Sequence, residues 1–150
     1  MVLVACGSVL AACGESSTGE PFSLNLVYCD NEEVAAPSCD LPGYSLQDDS
    51  ALRAKLDGCA VGGCHSAPEA ATSWTMNLSG SVEGALSALT VAGETPGYNV
   101  IDGVDPDCSL MLSELTERPI GTIRMPVTGG YWSRAETDCF RSYLHEMYPQ

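Results

Sequence analysis

Residues 59–65 read Cys-Ala-Val-Gly-Gly-Cys-His, and no other part of the chain carries as much chemical information. The stretch places two thiols and an imidazole within a few positions of one another. Four residues separate Cys59 from Cys64, and His65 follows directly. Because the two glycines between the thiols can adopt backbone conformations closed to other residues, the loop can bring both sulfur atoms to one edge of a bound group.

The motif has four intervening residues where Cys-x-x-Cys-His, the attachment signal for a c-type haem, has two. In that signal the thiols add across the two vinyl groups of a porphyrin, and the adjacent histidine binds the iron. The pattern therefore predicts one covalently bound haem c, with Cys59 and Cys64 as attachment residues and His65 as an iron ligand. Attachment through Cys64 alone is an alternative, and Cys59 would then need another partner.

The residues before Cys13 are apolar and small, a pattern typical of the end of a signal peptide. The run is too short to span a bilayer. Leu-Ala-Ala-Cys at residues 10–13 resembles the lipobox of bacterial lipoproteins, which implies that Cys13 is acylated and anchors the protein to a membrane outside the cytoplasm. The basic stretch that should come first is missing, so either the true start lies upstream or the signal is atypical. A plain cleaved signal peptide is the alternative, and both predict an exported protein, periplasmic or at the cell surface.

Removal of Cys6 with the signal peptide and acylation of Cys13 would leave six cysteines. In an oxidising compartment this number fits either three disulfides or one doubly attached haem plus two disulfides. His65 beside Cys64 favours the haem. The candidates for disulfides are then the four cysteines outside the motif: Cys29, Cys39, Cys108 and Cys139.

The simplest pairing of these four joins Cys29 to Cys39. This bond would close a small loop and tie the N-terminal extension down. Cys108 near the start of one predicted helix and Cys139 inside the last would form the second bond and staple the two helices together.

The chain carries 20 acidic against 6 basic residues, a formal net charge of −14 at pH 7. Nucleic acid and anionic lipid headgroups would repel such a chain, so we exclude both as partners. Contact with a membrane is therefore expected through the lipid on Cys13. The charge could steer the protein towards a basic patch on a redox partner of unknown identity, or it could serve solubility alone.

We predict three parts: a signal peptide at 1–12, a lipidated tether and N-terminal extension at 13–44, and a mainly α domain at 45–150. Residues 14–44 are rich in Gly, Ser, Glu and Pro and show no helical period. A first helix is predicted to begin at a Ser45 cap and to end at Asp57-Gly58. It would bury Leu52 and Leu56.

Three further helices are predicted after the motif. Val82 to about Leu89 carries apolar residues at helical spacing. Asp105-Pro106 is a cap followed by a proline at the first helical position, and it opens a helix to about Leu115. Ser133-Arg-Ala-Glu136 matches a capping box, and the residues that repeat at helical spacing after it are Phe140, Tyr143, Leu144 and Met147.

Five methionines compete for the second iron position. Met1 would leave with the signal peptide, while Met111 and Met147 lie on apolar helix faces, where packing is the common role. Met76 and Met125 remain. Met125 precedes a proline, which biases its backbone to an extended conformation and suits a loop that projects a thioether at a metal.

Arg118 and Arg124 flank Met125, and either could pair with a haem propionate through bidentate hydrogen bonds or be a solvated loop residue. His145 on the last helix is expected to be exposed and receives no role. Four aromatic residues could line the pocket or simply pack, and we leave them unassigned: Trp74, Tyr98, Tyr131 and Trp132.

The chain from residue 45 to about 148, about two thirds of its length, resembles the bacterial cytochrome c-like domains often found on lipoproteins. The resemblance implies a small cytochrome c-like helical domain with His65 as proximal and Met125 as distal ligand of one haem. His/Met ligation raises the reduction potential and fills both axial positions, which favours electron transfer over oxygen or peroxide chemistry. The matching elements are Cys64-His65, Met76-Asn-Leu78, residues 105–110 (Asp-Pro-Asp-Cys-Ser-Leu), Met125-Pro126 and the final capped helix.

Other hypotheses remain open. The protein could be a non-haem, disulfide-stabilised lipoprotein with Cys59 and Cys64 bridged, acting as a binding or assembly module. It could instead be a haem enzyme or sensor with an open sixth position. A zinc site at the motif is disfavoured because exported thiols tend to oxidise and no fourth ligand is evident. No Gly-x-Ser-x-Gly elbow and no spaced acidic pair points to hydrolysis, so an electron carrier is expected rather than a catalyst.

Overall fold

The computed structural model describes Cys29 and residues 37–60, 75–93, 97–115 and 131–150. Helices make up 45% of these residues, which contain no strand and only an isolated bridge between Ala92 and Asn99. The mainly α class is confirmed for this part of the chain. None of the described helices has the length and apolar character that a membrane span requires. In chain order the elements are α1 Ser50–Asp57, α2 Val82–Ser87, a 3₁₀ helix Pro106–Cys108, α3 Leu110–Leu115 and α4 Arg134–Met147.

Helix α1 begins later than predicted. Ser45 does not cap it, because Ser45 and Asp48 form a turn in which each backbone N–H donates to the other's carbonyl, at 2.9 and 3.1 Å. Serine and aspartate favour such local bonds over helix interiors. The predicted burial of Leu52 and Leu56 is confirmed, as is the end of the helix at Asp57.

Helix α2 matches its prediction closely. The Ser81 hydroxyl accepts from the Gly84 N–H at 3.0 Å and caps the helix. Val82 and Leu89 are buried, although the α-helical turns end at Ser87, two residues short of Leu89.

The helix predicted from Asp105 is divided in two. Asp105 caps the 3₁₀ helix, since its carboxylate accepts from the Asp107 N–H at 3.1 Å. The backbone then becomes extended at Ser109 before α3 begins. The break follows from tertiary bonds: the buried Ser109 hydroxyl accepts from the Asp102 N–H at 2.9 Å, and the Leu110 N–H donates to the Asn99 carbonyl at 3.0 Å.

Helix α4 has the predicted capping box. The Glu136 N–H donates to the Ser133 hydroxyl at 3.2 Å, and the Glu136 carboxylate accepts from the Ser133 N–H at 2.7 Å. Phe140, Tyr143 and Leu144 are buried as the helical spacing predicted, and Met147 packs against the core while partly exposed.

Buried apolar residues from all the α-helices form one core cluster. Trp132, left unassigned from the sequence, packs its ring edge against Phe140 with centroids 5.6 Å apart. The core also includes Cys59, Met76 and Met111. The first and last of these helices, α1 and α4, therefore contribute side chains to the same hydrophobic core.

Two disulfides attach the N-terminal extension to the helical domain, Cys29–Cys108 and Cys39–Cys139. The four cysteines are the predicted candidates, but the predicted pairing of Cys29 with Cys39 and of Cys108 with Cys139 is wrong. A short separation in the sequence did not predict the pairing of the cysteines. The reason is that the entropic cost of closing a loop grows slowly, by about 0.6 kcal/mol with each doubling of loop length. Proximity in the fold decides the pairing, and both observed pairs have Cα atoms 4.5 Å apart.

Candidate functional site

Cys59 is the one predicted haem-attachment residue within the described part of the chain. The site is therefore built outward from Cys59 and from the helices that carry the adjoining segments. The other predicted site residues, and the two flanking arginines, lie outside the described residues: Cys13, Cys64, His65, Met125, Arg118 and Arg124.

Cys59 stands two residues beyond α1, and the last turn of that helix sets its position. Its N–H donates to the Leu56 carbonyl at 2.8 Å, and its thiol donates to the Lys55 carbonyl at 3.9 Å. The residue is only 6% exposed. The motif thus begins with a sulfur atom that is held in the protein interior.

Cys59 is part of the hydrophobic core of the domain. It belongs to the same cluster of buried residues as Met76 and Trp132. The first cysteine of the motif is therefore surrounded by the apolar interior of the domain.

The methionines in the described residues have packing positions. Met111 on α3 is 4% exposed and Met76 is 3% exposed, and both belong to the core cluster. Met147 packs against this cluster from the end of α4. These positions agree with the packing role expected for Met111 and Met147, and they give Met76 a role in the core.

Lys55 and Glu136 join the C-terminal end of α1 to the N-terminal end of α4. Lys55 Nζ lies 2.6 Å from Glu136 Oε1, while Glu136 Oε2 accepts from the Ser133 hydroxyl at 2.9 Å as well as from its N–H. Burial opposes ionisation of Glu136, but its hydrogen bonds and the Lys55 charge outweigh burial and lower the pKa of this carboxyl. The sequence revealed the cap but not the contact with α1.

Arg53 makes a second connection from α1. Its guanidinium donates to the Leu78 carbonyl at 2.7 Å and also to the Gly80 carbonyl. These bonds fix the segment between Met76 and the Ser81 cap against α1. A single arginine in a helix offers no sequence signal for such a bridge, and we did not predict it.

Asp107, Arg141 and His145 form a polar cluster that the sequence analysis missed. The Asp107 carboxylate accepts from Arg141 at 2.5 and 2.6 Å, and His145 Nε2 lies 2.9 Å from Asp107 Oδ1. The expectation that His145 is exposed is wrong, since its side chain is 26% exposed and contacts Asp107. Burial raises the pKa of Asp107, yet hydrogen bonds and charge from Arg141 and His145 lower it by more.

One signal in the sequence could have indicated this cluster. Arg141 and His145 are four residues apart on a predicted helix, so they share a face. Two such side chains on one face of so acidic a protein can share a carboxylate from another element. Which carboxylate supplies it could not be read from the sequence.

Acidic residues from three elements approach Tyr143. Burial raises the pKa of this phenol to about 12, and the charges of Asp49, Glu83 and Glu146 add to the effect. Glu83 and Glu146 are exposed. The charge of Arg53 acts in the opposite direction and lowers the pKa of Tyr143.

The sulfur atoms of Cys29 and Cys108 lie within 4.8 Å of an Asp105 carboxylate oxygen. Because the two sulfurs are bonded to each other, this group is not a ligand set for a metal in the oxidised protein.

No family model, curated protein or solved structure matches the chain.

Proposed function

We propose that the protein is an exported, membrane-anchored electron carrier with a single covalently bound haem c. The observation that carries this proposal is the position of the Cys59–His65 motif. It starts immediately after a helix, with its first cysteine buried in the apolar core. A covalent porphyrin needs both a sulfur atom for the thioether bond and an apolar wall, and Cys59 places a sulfur atom within the apolar core.

The disulfides support the proposal. One haem and two disulfides account for all six cysteines of the exported chain, and the two disulfides take the four that lie outside the motif. Disulfides form and persist outside the cytoplasm, where c-type haem proteins with a lipid anchor also reside. A lipid on Cys13 would supply the anchor.

The residues have distinct roles in this proposal. Cys59 and Cys64 hold the porphyrin covalently, and His65 binds the iron. Met125 would supply the second iron ligand, because the proline that follows it biases its backbone to an extended conformation. When bound, the haem supplies a reversible one-electron couple, and two protein ligands direct it to electron transfer rather than to substrate binding. Arg118 and Arg124, which flank Met125 in the sequence, would pair with the propionates.

The acidic surface indicates the kind of redox partner. A net charge of −14 attracts a protein with a basic docking patch and repels acidic ones. Asp49, Glu83 and Glu146 contribute to this negative charge, and Glu83 and Glu146 are exposed. We propose a basic electron-transfer protein as partner.

A pyridine haemochrome spectrum tests the proposal when it is paired with the intact mass of protein exported from a host that matures c-type cytochromes. We expect a spectrum of two thioether bonds and the added mass of one haem. A red-shifted band would assign attachment to Cys64 alone, and a Cys59→Ser variant would then leave the band unchanged. No haem in either measurement would overturn the proposal and leave a disulfide-stabilised lipoprotein with a Cys59–Cys64 bridge.

A further inference from the structure

The two disulfides differ in their access to water. Cys29 and Cys108 are both partly exposed. In the other bond, Cys139 is 2% exposed and belongs to the core cluster, and Cys39 packs against that cluster. Thiol–disulfide exchange requires a thiolate to reach one sulfur atom while the other leaves as a thiolate. The Cys39–Cys139 bond resists exchange, because burial shields Cys139 from attack, and an attack on Cys39 would release an anion into the apolar core.

The Asp105 carboxylate lies beside the more accessible bond. Its Oδ2 is 3.2 Å from the sulfur atom of Cys108, and both sulfur atoms of the bond lie within 4.8 Å of an Asp105 carboxylate oxygen. The backbone fixes the carboxylate there, since Asp105 Oδ1 accepts from the Asp107 N–H at 3.1 Å and caps the 3₁₀ helix. A negative charge is therefore held close to the Cys29–Cys108 disulfide.

The basic side chains of α4 leave this charge in place. Arg141 and His145 bind Asp107 instead, at distances of 2.5 to 2.9 Å. In the described part of the chain, Asp105 forms no ion pair with a basic side chain. The charge of Asp107 is thus compensated by its partners, whereas the charge of Asp105 acts on whatever approaches the disulfide.

Exchange at this bond brings a second negative charge close to Asp105. The electron pair of the incoming thiolate forms a bond to one sulfur atom, and the other sulfur leaves with the electron pair of the broken bond and takes a proton from water. A second thiol attacks the mixed disulfide and completes the reduction. Whichever sulfur is attacked, the reagent and the leaving sulfur share one negative charge near the carboxylate. A like charge about 4 Å away in water slows such a step about five-fold.

We infer that the Cys29–Cys108 bond is a thiol–disulfide exchange site and that Asp105 selects the thiols that react there by their charge. The favoured co-reactant is a thiol with a positive charge near its sulfur atom, and anionic thiols are disfavoured. Exchange frees Cys29 from the 3₁₀ helix, while the Cys39–Cys139 bond keeps the N-terminal extension attached. None of these residues belongs to the haem-attachment motif.

Two variants separate the charge of Asp105 from its role as a cap. Asp105→Asn removes the charge but keeps an oxygen that can accept from the Asp107 N–H, and asparagine caps helices as well as aspartate does. Glu83→Gln removes one negative charge from an exposed position on α2. Because both variants change the net charge by the same amount, Glu83→Gln is the control for net charge alone.

The test measures opening of each disulfide in the folded full chain at pH 7 by a neutral, a cationic and an anionic thiol: 2-mercaptoethanol, cysteamine and mercaptoethanesulfonate. The freed cysteines are alkylated and located by peptide mass mapping, which gives each bond its own rate. We expect Cys29–Cys108 to open before Cys39–Cys139. Asp105→Asn should accelerate its opening about five-fold with the neutral thiol, about two-fold with the cationic thiol and about ten-fold with the anionic thiol. Glu83→Gln should match the parent.

The opposite outcomes are distinct. If Cys39–Cys139 opens first in the parent protein, Cys29–Cys108 is not the exchange site. Equal acceleration with all three thiols in Asp105→Asn would mean that the substitution loosens the 3₁₀ helix, and it would overturn selection by charge. Unchanged rates in Asp105→Asn, or an equal change in Glu83→Gln, would overturn the role of Asp105 as well.

Discussion

Helix α4 is held by ion pairs at two places, and the two differ in burial. Near its start, Glu136 meets Lys55 of α1 with side chains 20% and 35% exposed. Further along, Arg141 meets Asp107 of the 3₁₀ helix with side chains 6% and 16% exposed, and His145 joins this second group. The α1 contact is close to water, whereas the 3₁₀ contact is largely enclosed.

The difference teaches which of the two contacts contributes more to the stability of the fold. An enclosed charge whose partner is removed carries a large penalty, because water cannot replace the partner. A partly exposed pair contributes little to stability, since water screens it in both states. The middle of α4 is therefore held more strongly than its start.

The largest effect is expected from loss of a disulfide. One disulfide holds Cys108, which follows Asp107 in the sequence, and the other holds Cys139, which lies between Glu136 and Arg141 on α4. Replacing Cys39 and Cys139 together by serine should lower the free energy of unfolding by about 4 kcal/mol, because the bond closes a loop spanning 100 residues. Urea denaturation under non-reducing conditions measures the change.

A Cys29→Ser/Cys39→Ser variant tests the pairing itself. The observed pairing leaves Cys108 and Cys139 as thiols, so titration of the denatured protein should find two more thiols than in the parent. A thiol count equal to that of the parent would mean that Cys108 and Cys139 are bonded to each other in the variant, and a Cys108–Cys139 peptide pair in a non-reducing digest of the parent protein would contradict the structure.

The enclosed contact should give the next largest effect. Asp107→Ala leaves the Arg141 guanidinium without its carboxylate partner, and we expect a loss of about 3 kcal/mol of stability. The control is Arg134→Gln on the same helix, which should cost less than about 1 kcal/mol. Equal losses in the two variants would show that enclosure of the Asp107 contact has no energetic consequence.

Acid sensitivity should also distinguish the contacts. The pKa of Asp107 is lowered in the folded protein, so its contribution to stability is present above its ordinary pKa of 3.8 and is lost as pH falls through the lower folded value. Asp107→Asn should therefore flatten the dependence of stability on pH below about 4. A parallel pH profile for parent and variant, measured by urea titration, would contradict this assignment.

The smallest effect on stability is expected at the exposed contact. Lys55→Gln should reduce the free energy of unfolding by only about 0.5 kcal/mol, because water screens the pair. Thermal denaturation of the variant beside Asp107→Ala measures the ratio of the two effects. A loss at Lys55 as large as that at Asp107 would show that the difference in burial between the two contacts has no energetic consequence.

Local signals in the sequence predicted much of the fold. The reciprocal bonds of Ser133 and Glu136 are a local pattern, and α4 begins where they place it. Ser45 was predicted to cap α1, but its backbone forms a turn with Asp48 instead. The break at Ser109 and the crossed disulfides depend on residues far along the chain, so no local pattern indicated them.

The sequence predicted the motif that begins at Cys59 but not the contacts that hold α1 in place. Cys59 was expected at the end of a helix and lies there, buried. The connections from α1 through Lys55 and Arg53 were not foreseen, because a lysine or arginine on a helix face commonly points to solvent. Partners from other elements become apparent only once the helices are packed.

Peptide mass mapping of the mature, non-reduced protein tests the central claim most directly. The account predicts that haem is attached to the peptide containing Cys59 and Cys64, and that two other peptide pairs carry the Cys29–Cys108 and Cys39–Cys139 disulfides. A Cys59–Cys64 disulfide, with no haem on any peptide, would contradict it.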